Sequence, residues 1–202
     1  MKLVAVTQRV DISSGGRERR DALDQAWAVF LGACGLTGVP VPNHPVTARY
    51  LLDTLPVEGV LLTGGNDLTD YGGTAPERDE TERALLEQAR HRHLPVVGVC
   101  RGMQVIQRAY GISLEPVTDH VAASQVVLVD GVREEVNSYH MWGTRETDPA
   151  LAVWARAEDG VVEAVRDSDC LRVGIMWHPE RFAIARPRDV SLFQQSFGCS
   201  EQ

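Results

Sequence analysis

No stretch of this 202-residue chain stays apolar for long enough to cross a bilayer, so no membrane partner is expected. The opening segment is too short for a signal peptide: its apolar part stops at Gln8-Arg9, and no small-residue cleavage site follows. It reads instead as a first β-strand. The chain has only four cysteines, Cys34, Cys100, Cys170 and Cys199, with no C-x-x-C pair and no zinc-ligand spacing. Neither a disulfide framework nor a metal module is therefore expected, and the four are read as reduced thiols in the cytoplasm. Positive charge is also scarce: the formal net charge of -8 speaks against a nucleic-acid partner, while leaving room for a local basic pocket. The chain lacks internal repeats, low-complexity tracts and linkers. At 202 residues it fits one domain, 1–202, with a full core.

What is present is an alternation of short apolar strands with helical patterns, the mark of an α/β fold with a mainly parallel central sheet and helices on both faces. Strands are expected at Leu3 to Thr7, Val57 to Thr63, Pro95 to Val99, Val161 to Arg166 and Leu171 to Trp177, and a short extended piece at Val39 to Pro42. Helical periodicity runs over Arg17 to Cys34, with Leu23, Trp27, Phe30 and Leu31 on one side. Further helices are expected at Thr47 to Leu55, Glu77 to Arg92, Gly102 to Tyr110 and Val190 to Phe197. Gln125 to Val129 and Val132 to Val136, joined by Asp130-Gly131, predict a small added β-hairpin.

Gly98-Val99-Cys100-Arg101-Gly102 carries the most chemistry. It is G-x-C-x-G between a buried strand and a helix, the cysteine form of a nucleophile elbow. So tight a turn needs small neighbours. It raises the thiol at the C-terminal edge of the sheet, aims the positive end of a helix at the sulfur, and leaves the N–H of Arg101 to meet an oxyanion. A buried cysteine closing a strand is the plainer alternative. Cys34, Cys170 and Cys199 lack this context and read as structural.

A cysteine nucleophile needs an imidazole held by a third group. His178-Pro179-Glu180 offers one: two residues apart in extended chain, imidazole and carboxylate project to one side, and Pro179 keeps the segment extended. Among the other histidines, His91 and His93 lie at the polar end of a helix. His140, in Val136-Asn137-Ser138-Tyr139-His140, is the competing base, and a metal site of Cys100, His140 and His178 explains the elbow less well.

Taken in order, Gly64-Gly65-Asn66-Asp67, Gly98 to Gln104, Asn137-Ser138-Tyr139-His140 and Trp177-His178-Pro179-Glu180 resemble the class I glutamine amidotransferase-like γ-glutamyl hydrolases, over residues 3 to 197. The resemblance implies a flavodoxin-like fold and a Cys100-His178-Glu180 triad that cuts a γ-glutamyl amide through a thioester, with no cofactor and no metal. It implies oxyanion-hole N–H groups at Gly65 and Arg101. It implies substrate contacts in the segments of Gly64, Asn66, Gln104, Asn137, Ser138, Tyr139 and His140. Gly64-Gly65 also reads as a plain turn, and Gln104 as a helix cap. Ammonia-delivering relatives usually carry Leu after the nucleophile. Arg101 looks like the stand-alone hydrolases instead, against a glutaminase subunit feeding a partner synthase. Thr7-Gln8-Arg9, Glu18 to Leu23, Arg78-Asp79-Glu80 and Gly174 to His178 are similar to the subgroup acting on γ-glutamyl-CDP-amidate in phosphoramidate capsule-sugar modification. The departure is Ser124, where that pattern has a second histidine after Asp119-His120. Hydrolysis of γ-glutamyl-γ-aminobutyrate is the alternative, and a homodimer is left open.

An anionic substrate also has a physical argument. Arg9 follows the first strand and so lies at the ligand-binding edge of the sheet. Arg17, Arg19 and Arg20 crowd the expected start of the next helix, where cations oppose its dipole unless a phosphate sits nearby. A solvated basic helix start offset by Glu18, Asp21 and Asp24 is the plainer reading.

Overall fold

The computed structural model describes residues 1–169 and 171–198; Cys170 and Cys199, read above as structural thiols, lie outside them. In chain order the elements are β1 (Lys2–Val6), β2 (Arg9–Ile12), β3 (Arg19–Ala22), α1 (Ala26–Ala33), β4 (Leu36–Pro40), α2 (Pro45–Thr54), β5 (Val57–Leu62), α3 (Pro76–His91), β6 (Val96–Val99) and α4 (Arg101–Ala109). They continue with β7 (Glu115–Pro116), β8 (Val121–Val129), β9 (Val132–Tyr139), β10 (Trp142–Gly143), β11 (Leu151–Ala157), β12 (Val162–Asp167), β13 (Arg172–Ile175) and α5 (Pro187–Ser196). No described helix is long and apolar enough to cross a membrane.

One nine-stranded sheet has the order β4-β1-β5-β6-β13-β12-β11-β8-β9. The five strands from β4 to β13 pair in parallel, and β12, β11, β8 and β9 add antiparallel pairings on one side. Alternation along the strands splits the core into two layers. Ala5, Val60 and Leu62 face Leu52 of α2, Leu85 of α3 and Ile106 of α4. Val4, Val6 and Leu61 face Trp27 and Phe30 of α1 and Phe193 of α5. The mainly parallel α/β architecture with helices on both faces is thus present. The hairpin at Asp130-Gly131 is longer than its apolar centre predicts and continues the main sheet at its edge.

The helix expected over Arg17 to Cys34 is a correction. Its first part is strand β3, paired antiparallel with β2 in a separate ribbon, and the helix begins only at Ala26. Residues 17–25 offer Leu23 as their one large apolar side chain, so a helix there would have no face to bury. Where the apolar stripe starts, Asp24 Oδ1 accepts the Ala26 N–H at 2.9 Å and starts the turn.

Candidate active site

Because β5, β6 and β13 are parallel neighbours, the segments after them emerge at one edge: Thr63 to Asn66, Cys100, and Trp177 to Glu180. Cys100 stands between β6 and α4 with φ 53° and ψ −108°, a conformation that costs a non-glycine residue about 1–3 kcal/mol. Its N–H donates to the Ile175 carbonyl at 2.7 Å, which fastens the elbow to β13. Both flanking glycines are sterically required. A Cβ on Gly98 would lie 2.5 Å from the Gly102 carbonyl, and one on Gly102 would overlap the Leu62 carbonyl oxygen. Arg101 is the first residue of α4, so its N–H is one of the donors a helix leaves without an internal partner.

His178 follows β13 and is buried. Its Nδ1 lies 2.7 Å from Glu180 Oε1. The segment is not extended as expected: Pro179–Arg181 form one 3-10 turn, which proline tolerates at its first position. The carboxylate still reaches the ring. Asn137 fixes the backbone beneath it, its Oδ1 accepting the His178 N–H at 2.7 Å and its Nδ2 donating to the His178 carbonyl at 2.9 Å. A Cβ on Gly64 would lie 2.5 Å from His178 Cε1, 3.2 Å from Nε2 and 3.5 Å from Cys100 Cβ. Imidazole and thiol side chain therefore converge over a glycine that has nothing to put in the way. Burial disfavours a charged imidazole here. The charge and hydrogen bond of Cys100, then those of Glu180, outweigh burial and hold the His178 pKa up to about 9.

Beneath the Gly64-Gly65 loop lies a buried ionic network to which the sequence reading gave no role. The Arg78 guanidinium, fully buried, donates to the carbonyl oxygens of Thr63 (2.7 Å), Gly64 (3.0 Å) and Gly65, and pairs with Glu82 at 2.9 Å. Glu82 also accepts from Thr7 Oγ1 at 2.9 Å and pairs with Arg101, which reaches Asp79 as well. Five donors on one rigid plane suit Arg78 to holding three carbonyls of a turn at once. The Arg101 side chain points into this network, so only its backbone is offered to the cleft.

A cleft of about 370 Å³ opens above Cys100, lined by Gly65, Asn66, Arg101, Gln104, Tyr139 and His140 among others. The expected substrate contacts divide. Gln104 lines the cleft and donates to the Trp142 carbonyl at 2.9 Å. Tyr139 lines it too, edge-on to His178 at 5.7 Å, with the Arg181 guanidinium 4.7 Å from its ring centre. Asn66 spends its side chain on the Val10 backbone, Asn137 on His178, and Ser138 on the His120 carbonyl at 2.6 Å. His140 lines the cleft as well, with its ring nitrogens turned to the Trp142 carbonyl and Glu163, while His178 is the imidazole that meets Cys100. Ser124 faces Glu135 on the exposed side of β8.

The basic cluster also divides. Arg9 packs over Gly65 and lines a second, small recess with Gly64, His178 and Glu180, paired to Asp11 at 2.7 Å. Arg19 pairs with Glu77 at 2.5 Å and Arg20 with Glu18 at 2.6 Å. Arg17, Arg19 and Arg20 do not sit at a helix start, so the helix-dipole argument for a phosphate there falls.

Known proteins resemble this chain in sequence and in fold. The chain is 27% identical over 184 residues to γ-glutamyl-CDP-amidate hydrolase of Campylobacter jejuni, covering 88% of this chain and 90% of that one. It is 33% identical over 185 residues to γ-glutamyl-γ-aminobutyrate hydrolase of Escherichia coli, covering 71% and 73%. The glutaminase domain of Trypanosoma brucei CTPS with bound acivicin superposes with a TM-score of 0.71 over 100% of this chain and 96% of that one, at 14% identity, a likeness of fold alone. The profile of the Peptidase C26 family matches residues 3–127 and 113–180, which include the elbow, the Gly64-Gly65 loop and His178 to Glu180, and the protein belongs to that family.

Proposed function

We propose that this protein cuts a γ-glutamyl amide through a thioester on Cys100, with His178 and Glu180 as the acid–base pair, and that the leaving amine carries a phosphate group. The coarser statement is that it is a cysteine hydrolase of the γ-glutamyl hydrolase and glutamine amidotransferase-like group, acting on non-peptide C–N bonds. The observation that carries the reading is the convergence of Cys100, on a left-handed elbow, with an imidazole whose far nitrogen is bound to Glu180 at 2.7 Å.

The sulfur attacks the γ-carbonyl carbon, and charge gathers on the oxygen. The N–H groups of Gly65 and Arg101 receive that charge. His178, protonated below about pH 9, gives its Nε2 proton to the leaving nitrogen, and the C–N bond breaks. Water then enters, loses a proton to His178 and attacks the thioester carbonyl. The C–S bond breaks and glutamate leaves. Glu180 holds the ring in one orientation throughout and offsets its charge.

Two features support a phosphate-bearing leaving group: likeness to the CDP-amidate hydrolase extends over 88% of the chain, and Arg9 borders the recess beside His178. The higher identity to the γ-aminobutyrate hydrolase favours the second reading, a simple amine. Glutamate release from γ-glutamyl-CDP-amidate and γ-glutamyl-γ-aminobutyrate, by wild type and Arg9→Ala, separates them. The phosphate reading expects Arg9→Ala to lose kcat/KM on the nucleotide substrate alone. Equal losses on both substrates remove it. Cys100→Ala should abolish turnover on either substrate without unfolding the chain, and substantial residual turnover would refute the thioester mechanism.

A further inference from the structure

We propose that His120, His140 and Glu163 form a binding site for one divalent transition-metal ion of the zinc class, set in the wall of the substrate cleft. The three residues come from three separate segments: just before β8, just after β9, and on β12. They are 3%, 4% and 1% exposed, and one ligand atom from each lies within 4.8 Å of the others. Glu163 Oε1 is 3.1 Å from His120 Nδ1 and 3.4 Å from His140 Nε2. Tetrahedral zinc with bonds of about 2.0–2.2 Å sets its ligand atoms roughly 3.3–3.6 Å apart, close to both separations.

The outer hydrogen bonds decide which atoms face inward. His140 Nδ1 lies 3.0 Å from the Trp142 carbonyl oxygen, which only accepts, so its proton is on Nδ1. His120 lies between two carboxylates, Nε2 3.4 Å from Asp159 Oδ2 and Nδ1 3.1 Å from Glu163 Oε1, and with its proton on Nε2 it turns Nδ1 inward. Each neutral ring then turns a lone pair toward Glu163 Oε1. His140 Nε2 and Glu163 Oε1 have no hydrogen-bond partner outside this cluster. Two imidazole lone pairs and a carboxylate oxygen converging in a buried space repel one another unless a cation joins them, either a metal ion or a proton on His120, which burial opposes and Glu163 and Asp159 favour. Histidines whose other nitrogen donates to a carbonyl or carboxylate are the usual pattern around a bound metal. Gln125 stands at the rim, its amide nitrogen 2.9 Å from His120 Nδ1 and its amide oxygen without a partner. A half-turn of that amide offers a fourth oxygen ligand.

The ion would brace the cleft and take no part in the reaction. Its ligand His140 lines the cleft, and the Trp142 carbonyl that orients His140 also accepts from Gln104 beside Cys100. Short-range spacing gave no hint of this site, because a fold-assembled ligand set has no motif.

The test uses the full chain stripped with a chelator and titrated with Co(II), then with Zn(II) against a chromogenic chelator. Expected are one ion per chain and a Co(II) d–d spectrum of nitrogen and oxygen ligands without a thiolate charge-transfer band. Cys100→Ser should leave both unchanged, Glu163→Gln should abolish binding, and Asp159→Ala should weaken it about 10- to 100-fold. Should Glu163→Gln fail to fold, the wild-type Co(II) spectrum and the Cys100→Ser control still decide. No stoichiometric binding, or binding that Cys100→Ser removes, overturns the proposal. So does an NMR titration in which both rings stay doubly protonated with Zn(II) in excess.

Discussion

Replacing Glu180 with Gln keeps the size of the side chain and an acceptor for His178 Nδ1, and removes the charge. Burial alone would push the His178 pKa down; Cys100 and Glu180 together bring it to about 9 from an ordinary 6.5. That difference is about 3 kcal/mol in favour of the imidazolium, at about 1.4 kcal/mol per pH unit. Both act against burial, the largest single cause, which lowers the value. An opposite charge at hydrogen-bond distance moves a pKa by roughly one unit or more, so removing the carboxylate should lower the titration by about that much. NMR of the imidazole across pH, in wild type, Glu180→Gln and Cys100→Ala, reads this directly, and both variants should titrate below wild type. Stability follows with a definite sign. The folded value lies above the unfolded one, so the stabilisation is complete below about pH 6.5 and is lost as pH rises through 9. The wild-type Tm should fall across that window by more than that of Glu180→Gln. A His178 titration that does not move in Glu180→Gln would mean that the carboxylate exerts no hold on the ring, and the acid–base assignment would go with it.

Gly64→Ala puts a methyl group 2.5 Å from His178 Cε1, so the ring must shift away from Cys100; turnover should fall about 100-fold, the usual result of a misplacement near 1 Å, with a near-normal melting curve. Arg78→Met leaves Glu82 buried with only Arg101 opposite, and frees the carbonyls of Thr63 to Gly65; urea unfolding should show a loss of about 3–5 kcal/mol.

The parallel half of the fold was legible because each strand is written as a short apolar run between turn residues. Val57 to Leu62 ends at Gly64-Gly65, and Val96 to Val99 ends at the elbow. β11 went unread because Leu151-Ala-Val-Trp-Ala-Arg-Ala157 is half alanine and arginine, and only its neighbours β12 and β8 make it a strand. The β2–β3 ribbon was unreadable for a different reason. Its residues are nearly all charged or exposed, so no apolar period marks it, and Arg19 is held across the chain by Glu77 and the Thr74 carbonyl.

Within the site, what could be read was what lies in consecutive residues: Gly98 to Gly102, and His178 to Glu180. What could not was the support from afar. Asn137 was taken for a substrate contact although its amide serves the His178 backbone, 41 residues away. Yet α3 did carry a signal for the network under the Gly64-Gly65 loop. Its buried residues Arg78, Thr81, Glu82, Leu85, Leu86 and Ala89 recur at helical spacing, so an arginine and a glutamate fall on the apolar stripe, one turn apart. A charge on a buried stripe is too costly to keep unless something inside the protein binds it. Pairing with each other still leaves most of the arginine's donors unanswered, and those donors require a cluster of acceptors at the same depth. Those acceptors are in the turn that closes β5, where Thr63, Gly64 and Gly65 present their carbonyls. A buried charge pair on a helix facing the end of a parallel strand thus identifies the loop it holds, and here that loop is the one that meets His178 and Cys100.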